Sequence, residues 1–129
     1  MSFKADLKVS GKTYELLSVN FSLDQQIDHK GKVSSHVRGG TITANLVSTG
    51  DVTLFDLAQD DDKRVDGSIV FYKDDGQSTL KELKFNQAYV IGYSEAFAAH
   101  TTTPMNITVT FSAEIIDIGG VKFDNKWGK

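Results

Sequence analysis

Phe3, Ala5, Leu7 and Val9 alternate with Lys4, Asp6, Lys8 and Ser10, a period of two that places one face of a strand in a core and the other in water. Ser10-Gly11-Lys12 reads as a tight turn. In the next strand Tyr14 and Leu16 share a face, and Leu17, Val19, Phe21 and Leu23 follow in the opposite phase. A one-residue slip of this kind predicts a β-bulge, which bends a strand as barrels require. Alternation returns at Thr41–Val47 through Ile42, Ala44 and Leu46. Ser68–Lys73 is apolar on both faces, the pattern of a strand covered on each side. Lys73-Asp74-Asp75-Gly76 predicts a hairpin turn with Gly76 suited to positive φ. Leu83–Phe97 continues as one long strand or two short ones. Asn106–Ile116 is the clearest strand: Ile107, Val109, Phe111, Ala113 and Ile115 on one face, Thr108, Thr110, Ser112 and Glu114 on the other. Gly119-Gly120 then turns the chain into a short strand, Val121–Phe123.

One segment breaks the period of two. In Asp51–Gln59, Val52, Phe55 and Ala58, with Leu54 and Leu57, recur at spacings of three and four behind a Gly50-Asp51 start able to cap a helix. About two turns long, this helix needs a sheet to pack against. The pattern predicts an all-β chain with one short helix, a small antiparallel barrel or sandwich of seven or eight strands.

Between the second and third strands lies a seventeen-residue polar segment, Asp24–Gly40, with only Ile27, Val33 and Val37 apolar. Most connections run about four to six residues, so a loop of this length points to function.

Composition narrows the classes. The chain's 129 residues suit a single domain spanning 1–129, and 40% hydrophobic with 24% charged residues is an ordinary globular balance. A net charge of −3 argues against duplex nucleic-acid binding. The absence of cysteine excludes disulfides and thiolate metal sites. No apolar run suits membrane insertion. The first residues, MSFKADLKVSG, lack the apolar core of a signal peptide, so a cytoplasmic origin and export without a cleaved leader are expected.

Catalytic patterns are missing: no nucleophile elbow, P-loop, dinucleotide fingerprint or zinc-protease helix occurs. Cofactors are therefore not expected. His29, His36 and His100 fall in predicted loops, and a metal site from Asp28, His29 and His36 is weaker than solvated loop histidines. Asp60-Asp61-Asp62 lacks the order of a calcium loop and sits at the unfavourable end of the helix dipole, with Lys63 and Arg64 nearby as partial compensation. The sequons at Asn20 and Asn106 lie inside predicted strands. Tyr89, Tyr93 and Phe97, spaced by four, read as core packing more readily than as a stacking platform. A hydrolase using His36 with Ser34 or Ser35 lacks an identifiable orienting carboxylate.

Several ordered blocks carry a resemblance: SFKADLKVSGKTYELLSVNFSLDQQID, VSSHVRGGTI, STGDVTLFDLA, GSIVFYKDDGQSTLKELKF, AYVIGYSEAF and PMNITVTFSAEIIDIGG. Together they resemble the haemolysin-coregulated protein family (TssD), the inner-tube subunit of type VI secretion systems, in its Bacteroidetes form. The resemblance implies a tail-tube-like barrel assembling into hexameric rings. These stack into a hollow tube that a contractile sheath drives, with sheath, spike and effector proteins as partners. It implies a structural protein and no enzyme. It also implies that the loop between strands 2 and 3 reaches onto neighbouring subunits, through Gly31, Ser34, Ser35, Val37, Arg38, Gly39 and Gly40. Val33 stands where the family usually has proline. The competing reading is a ligand-binding barrel with residues 24–40 as a lid, which needs a cavity that Ile107, Val109, Phe111 and Ile115 are expected to fill.

Overall fold

The protein, described here from a computed structural model, is defined over residues 4–23, 28–32, 39–75, 77–102 and 104–125. Its strands are β1 (Ala5–Val9), β2 (Lys12–Phe21), β3 (Thr41–Val47), β4 (Val65–Tyr72), β5 (Thr79–Phe97), β6 (Met105–Ile118) and β7 (Val121–Asp124), with one helix, α1 (Thr53–Gln59). The sheet runs β3-β2-β1-β4-β5-β6-β7 and all its pairs are antiparallel. A further pairing of β3 with β6, from Thr41↔Ser112 to Val47↔Asn106, closes six strands into a barrel. Closure removes the exposed edges that an open sheet would present. β7 then continues along the same edge of β6 beyond β3, from Ile118↔Val121 to Ile115↔Asp124.

Inward-facing residues fill the barrel. Leu7, Ile42, Leu46, Ile69, Leu83, Phe85, Val109 and Phe111 are fully buried, and the Phe85 and Phe111 rings lie 4.9 Å apart at a tilt of 38°. The expected bulge is present as a register shift in β2 between Leu16 and Ser18. Leu17 is the extra residue and points outward, 44% exposed, while Val19 and Phe21 return to the core. Leu23, assigned by periodicity to the same inner face, lies past the strand end and is 53% exposed. β5 is one continuous strand of 19 residues.

The clearest strand holds a correction. Its alternation runs inward only to Ala113, and then Ile116 is buried while Ile115 is half-buried. Opposite this point β5 carries Gln87 at φ 55°, held by its N–H donating to Asp66 Oδ1 at 2.9 Å. Both strands bend there, so the inward phase shifts by one. A second slip, between Val90 and Gly92, separates Tyr89 from the other two aromatics spaced by four, and Phe97 ends the strand. Tyr93 turns inward to pack on the core, Tyr89 turns outward beneath the Arg64 guanidinium at 5.3 Å, and Phe97 is 67% exposed. Core packing thus holds for Tyr93 alone.

α1 lies over one end of the barrel, with Leu54 and Leu57 joining the core and Phe55 meeting Tyr93 edge-on at 5.6 Å. Its cap differs from the expected one. Val52 occupies the N-cap position, and Asp51, one residue earlier, accepts the Thr53 N–H at 2.7 Å and the Thr53 hydroxyl at 2.5 Å.

Phe111→Ala should cost about 3–5 kcal/mol in denaturant unfolding, through lost burial and the cavity left behind. Ile115→Ala should cost less than half as much, because the bend takes Ile115 off the inner face.

Candidate functional site

An antiparallel up-and-down chain leaves its connections at the two ends of the barrel. The β1–β2 and β5–β6 turns and the β3–α1–β4 connection lie at the α1 end. The β2–β3 loop, the β4–β5 turn and the β6–β7 turn lie at the other.

At that second end an apolar groove of about 490 Å³ runs between the last residues of β2 and the β6–β7 hairpin. Among the described residues it is lined by Phe21, Ser22, Leu23, Ile116, Ile118, Val121, Lys122 and Phe123, of which Lys122 alone is charged. It lies on the flank of the filled barrel. The long loop departs beside it, directly after Leu23, and returns at Gly39-Gly40.

The return of the loop is tightly built. Gly40 sits at φ 90°, and its carbonyl accepts the Ala113 N–H at 2.7 Å. A Cβ on Gly40 would stand 2.3 Å from the Ala113 carbonyl oxygen and 2.7 Å from Asn125 Nδ2. The Asn125 side chain donates to the Gly39 carbonyl at 3.1 Å and the Ala113 carbonyl at 3.0 Å, while its backbone N–H donates to Glu114 at 2.8 Å. This one amide joins the start of β3, the middle of β6 and the end of β7. Sequence reasoning missed Asn125, because nothing local marks it; its role comes from residues 86 and 12 positions away. Leu23 and Val121 were legible only as strand-end apolar residues, and their convergence is a matter of topology.

Of the loop residues expected to act, Gly31, Gly39 and Gly40 are described, whereas Ser34, Ser35, Val37 and Arg38 lie outside the described residues. Gly31 has φ 86° in a small turn where Asp28 Oδ1 accepts the N–H groups of Lys30 and Lys32, each at 2.9 Å. Asp28 is therefore occupied as a turn former. Gly39 and Gly40 serve the chain's own return to the barrel. Gly76 also lies outside the described residues, but its hairpin is held by Asp75 Oδ1, which accepts the Gln77 and Ser78 N–H groups at 2.9 and 2.8 Å. Those bonds hold the Asp75 carboxyl down at about 2.

Among the described residues the one acidic cluster close enough to share an ion is Asp60, Asp61 and Asp62, whose oxygens lie within 4.8 Å of one another at the surface. Asp60 Oδ1 accepts the Asp62 N–H at 3.0 Å, a turn-closing role, and Lys63 pairs with Asp56 instead at 3.2 Å. His29 and His100 sit in turns, and His36 lies outside the described residues.

At the α1 end, Asp51 is pulled below the usual carboxylate range by the Thr53 hydroxyl, then by the Thr53 N–H and Lys12, whose Nζ lies 3.5 Å away. Burial raises the neighbouring Tyr14 phenol, which donates to Asp51 Oδ2 at 3.4 Å.

The outer face across β2, β3, β6 and β5 has a distinct chemistry. Cross-strand register sets Asn20, Thr43, Thr110 and Gly92 in one row and Ser18, Asn45, Thr108 and Ser94 in the next; Thr41, Ser112 and Tyr89 form a third. Asn45 Nδ2 donates to Asn106 Oδ1 and Thr108 Oγ1, both at 3.0 Å. No charged side chain occurs in these rows, whereas β1, the start of β2 and the start of β5 carry Asp6, Lys8, Glu15, Lys81, Glu82 and Lys84.

Comparison with known proteins places this architecture. A closed barrel of the same fold occurs in Hcp1 from Salmonella typhimurium, 15% identical, with a TM-score of 0.75 and 95% of this chain and 92% of that chain covered. It recurs in a chain of an extracellular contractile injection system, the PVC sheath–tube complex in its extended state (20% identity, TM-score 0.60, coverage 91% and 88%). The fold class is thus the small barrel found in contractile injection machines. Hcp1 from Flavobacterium johnsoniae is 41% identical with a TM-score of 0.90, covering 95% of this chain and 99% of that one. The family profile of the haemolysin-coregulated protein Hcp (TssD) matches residues 1–128, and the chain belongs to that family. Comparison with curated proteins finds no match.

Gly40→Ala should lower stability by about 2–3 kcal/mol in urea unfolding, since it adds a strained φ and a backbone clash. Gly50→Ala, whose added Cβ meets nothing within 4 Å, should stay within about 0.5 kcal/mol. Because the folded-state value of Asp51 lies below its unfolded one, its contribution is present above the ordinary carboxylate range and lost as pH falls through the lowered value. Asp51→Asn should therefore reduce the thermal midpoint at pH 7, with the gap to the parent narrowing as pH drops below 4 (the ordinary value is 3.8).

Proposed function

We propose that this chain is the inner-tube subunit of a type VI secretion system, forming hexameric rings that stack into a hollow tube inside a contractile sheath. The observation that carries this reading is the family match over residues 1–128, on a barrel that superposes with a TM-score of 0.90 at 41% identity. The protein is a structural one. Self-association and a sheath are its partners, and spike and effector proteins are further partners in the same apparatus. Among the described residues no helix is long and apolar enough to cross a membrane. Export through the tube's own apparatus, without a cleaved leader, completes the reading. Residues 1–129 act as one domain.

A closed ring needs a head-to-tail contact that joins two different patches on each subunit. The loop 24–40 is the part of the chain suited to reach a neighbour. It re-enters the barrel at a fixed point, the Gly40–Ala113–Asn125 junction, with Gly39 beside its exit at Leu23, so an arm can extend without loosening the sheet. Arg38 supplies a forked donor for a neighbour's carboxylate or carbonyls. The uncharged face over β2, β3, β6 and β5 is the surface turned to the channel. Hydroxyls and amides hydrate well and attract neither sign of charge on a passing cargo.

The lid reading of residues 24–40 is not favoured, because the barrel interior is packed with Phe85, Phe111, Ile42 and Val109 and the groove lies outside it. Arg38→Glu, and deletion of Lys30–Ser35, should each abolish or strongly reduce rings in negative-stain images while leaving the far-UV circular dichroism of the barrel unchanged. Undiminished rings in both variants would remove the role given to the arm.

A further inference from the structure

The apolar groove has two walls and one rim at which the chain itself departs. Ile116↔Phe123 and Ile118↔Val121 are direct cross-strand pairs, so one wall is a continuous apolar surface across β6 and β7. Phe21 and Leu23, at the end of β2, form the other. Leu23 and Val121 are 53% and 76% exposed, which leaves the groove open among the described residues. An apolar concavity of this size in water is a contact surface.

The segment nearest to it is the continuation of the chain after β7. β7 cannot run on along β6, because the next stretch of that edge belongs to β3: the Ala113 N–H goes to the Gly40 carbonyl, and Ser112 pairs with Thr41. The chain therefore leaves the sheet after Asn125. That residue is pinned at the rim of the groove. Its side chain donates to the Gly39 carbonyl at 3.1 Å, and a Cβ on Gly39 would stand 2.2 Å from Leu23 Cδ2. The point of departure thus adjoins a groove wall. Residues 126–129, Lys-Trp-Gly-Lys, follow and lie outside the described residues. Trp127 comes two residues past the anchor, at most about 7 Å of main chain.

Side-chain chemistry selects the occupant. A buried tryptophan covers about 150–250 Å², and its flat ring suits a slot between two apolar walls. Its indole N–H needs a polar partner, and Ser22 stands in the lining. Lys126 and Lys129 keep their charges in water on long stems. The arm offers only Ile27, Val33 and Val37. Val37, two residues before Gly39, is comparably near, but its side chain covers far less of the groove.

We propose that Trp127 folds back into the groove of its own subunit, so that residues 126–129 form a strap across it. The strap ties the end of β7 to the end of β2, two strands with no pairing between them in the sheet. It also takes an adhesive apolar surface away from the free subunit. This follows from the fold alone and holds whether or not the chain builds a tube.

Trp127 is the only tryptophan of the chain, so its fluorescence reports on the strap alone. Emission from the parent protein should be blue-shifted from that of free tryptophanamide, and quenching by acrylamide should be several-fold slower. Val121→Asp and Leu23→Asp, at exposed positions on the two walls, should each move the emission to the red and restore fast quenching, with far-UV circular dichroism unchanged. Leu80→Asp, exposed at the same end but outside the groove, should leave both as in the parent. Trp127→Ser should raise binding of the dye anilinonaphthalene sulfonate several-fold, because the groove is uncovered. The inference is overturned if the parent emits like free tryptophanamide, or if both wall variants keep the parent's emission. It is equally overturned if Trp127→Ser binds no more dye than the parent, the result expected when the arm or a second copy fills the groove. Leu23→Asp refolded with an excess of Trp127→Ser should stay red. A return of blue emission in that mixture would seat the indole in another subunit and remove the in-chain strap.

Discussion

Everything in this protein depends on β6 serving two partners along a single edge. Its first half closes the barrel against β3, and its second half holds β7. Without the first pairing the sheet would be an open ribbon with two unpaired edges; without the second, the groove would lose its outer wall. The handover happens within two residues, at Ala113 and Glu114, and leaves little room. Glycine at position 40 and the amide of Asn125 are what that crowding demands. The bend that moves Ile115 off the inner face is part of the same accommodation.

This arrangement separates the barrel's internal needs from its external ones. Buried aliphatic and aromatic residues satisfy the interior, and α1 covers one end with Leu54 and Leu57. The outer faces are then free to specialise: charged over β1 and the starts of β2 and β5, uncharged over β3 and its neighbours, apolar at the two ends. Chemically distinct faces keep a self-associating protein from docking in the wrong orientation.

Much of the fold was legible because period-two alternation is a local signal. β1, β3 and most of β6 follow it, and the slip after Leu16 marked the bulge. What periodicity could not show is how phase is lost at a bend set by another strand, as at Ile115, or at a bulge two residues further on, as with Tyr89. The helix was legible but its cap was displaced by one residue, since Asp51 is also claimed by Lys12 and Tyr14. Around the loop and the groove, Gly39 and Gly40 could be read from conformational need. Asn125, Leu23 and Val121 could not, because their meaning arises only when distant strands are laid side by side.

The length of β6 has a mechanical consequence. Fourteen residues of extended chain span about 45 Å, and the strand is hydrogen-bonded to β5 along nearly all of it. Antiparallel backbone bonds run perpendicular to the strands. A force that slides β5 along β6 therefore loads these bonds in shear, all together, and does not peel them one at a time. The β5–β6 ladder is the long strut of the barrel.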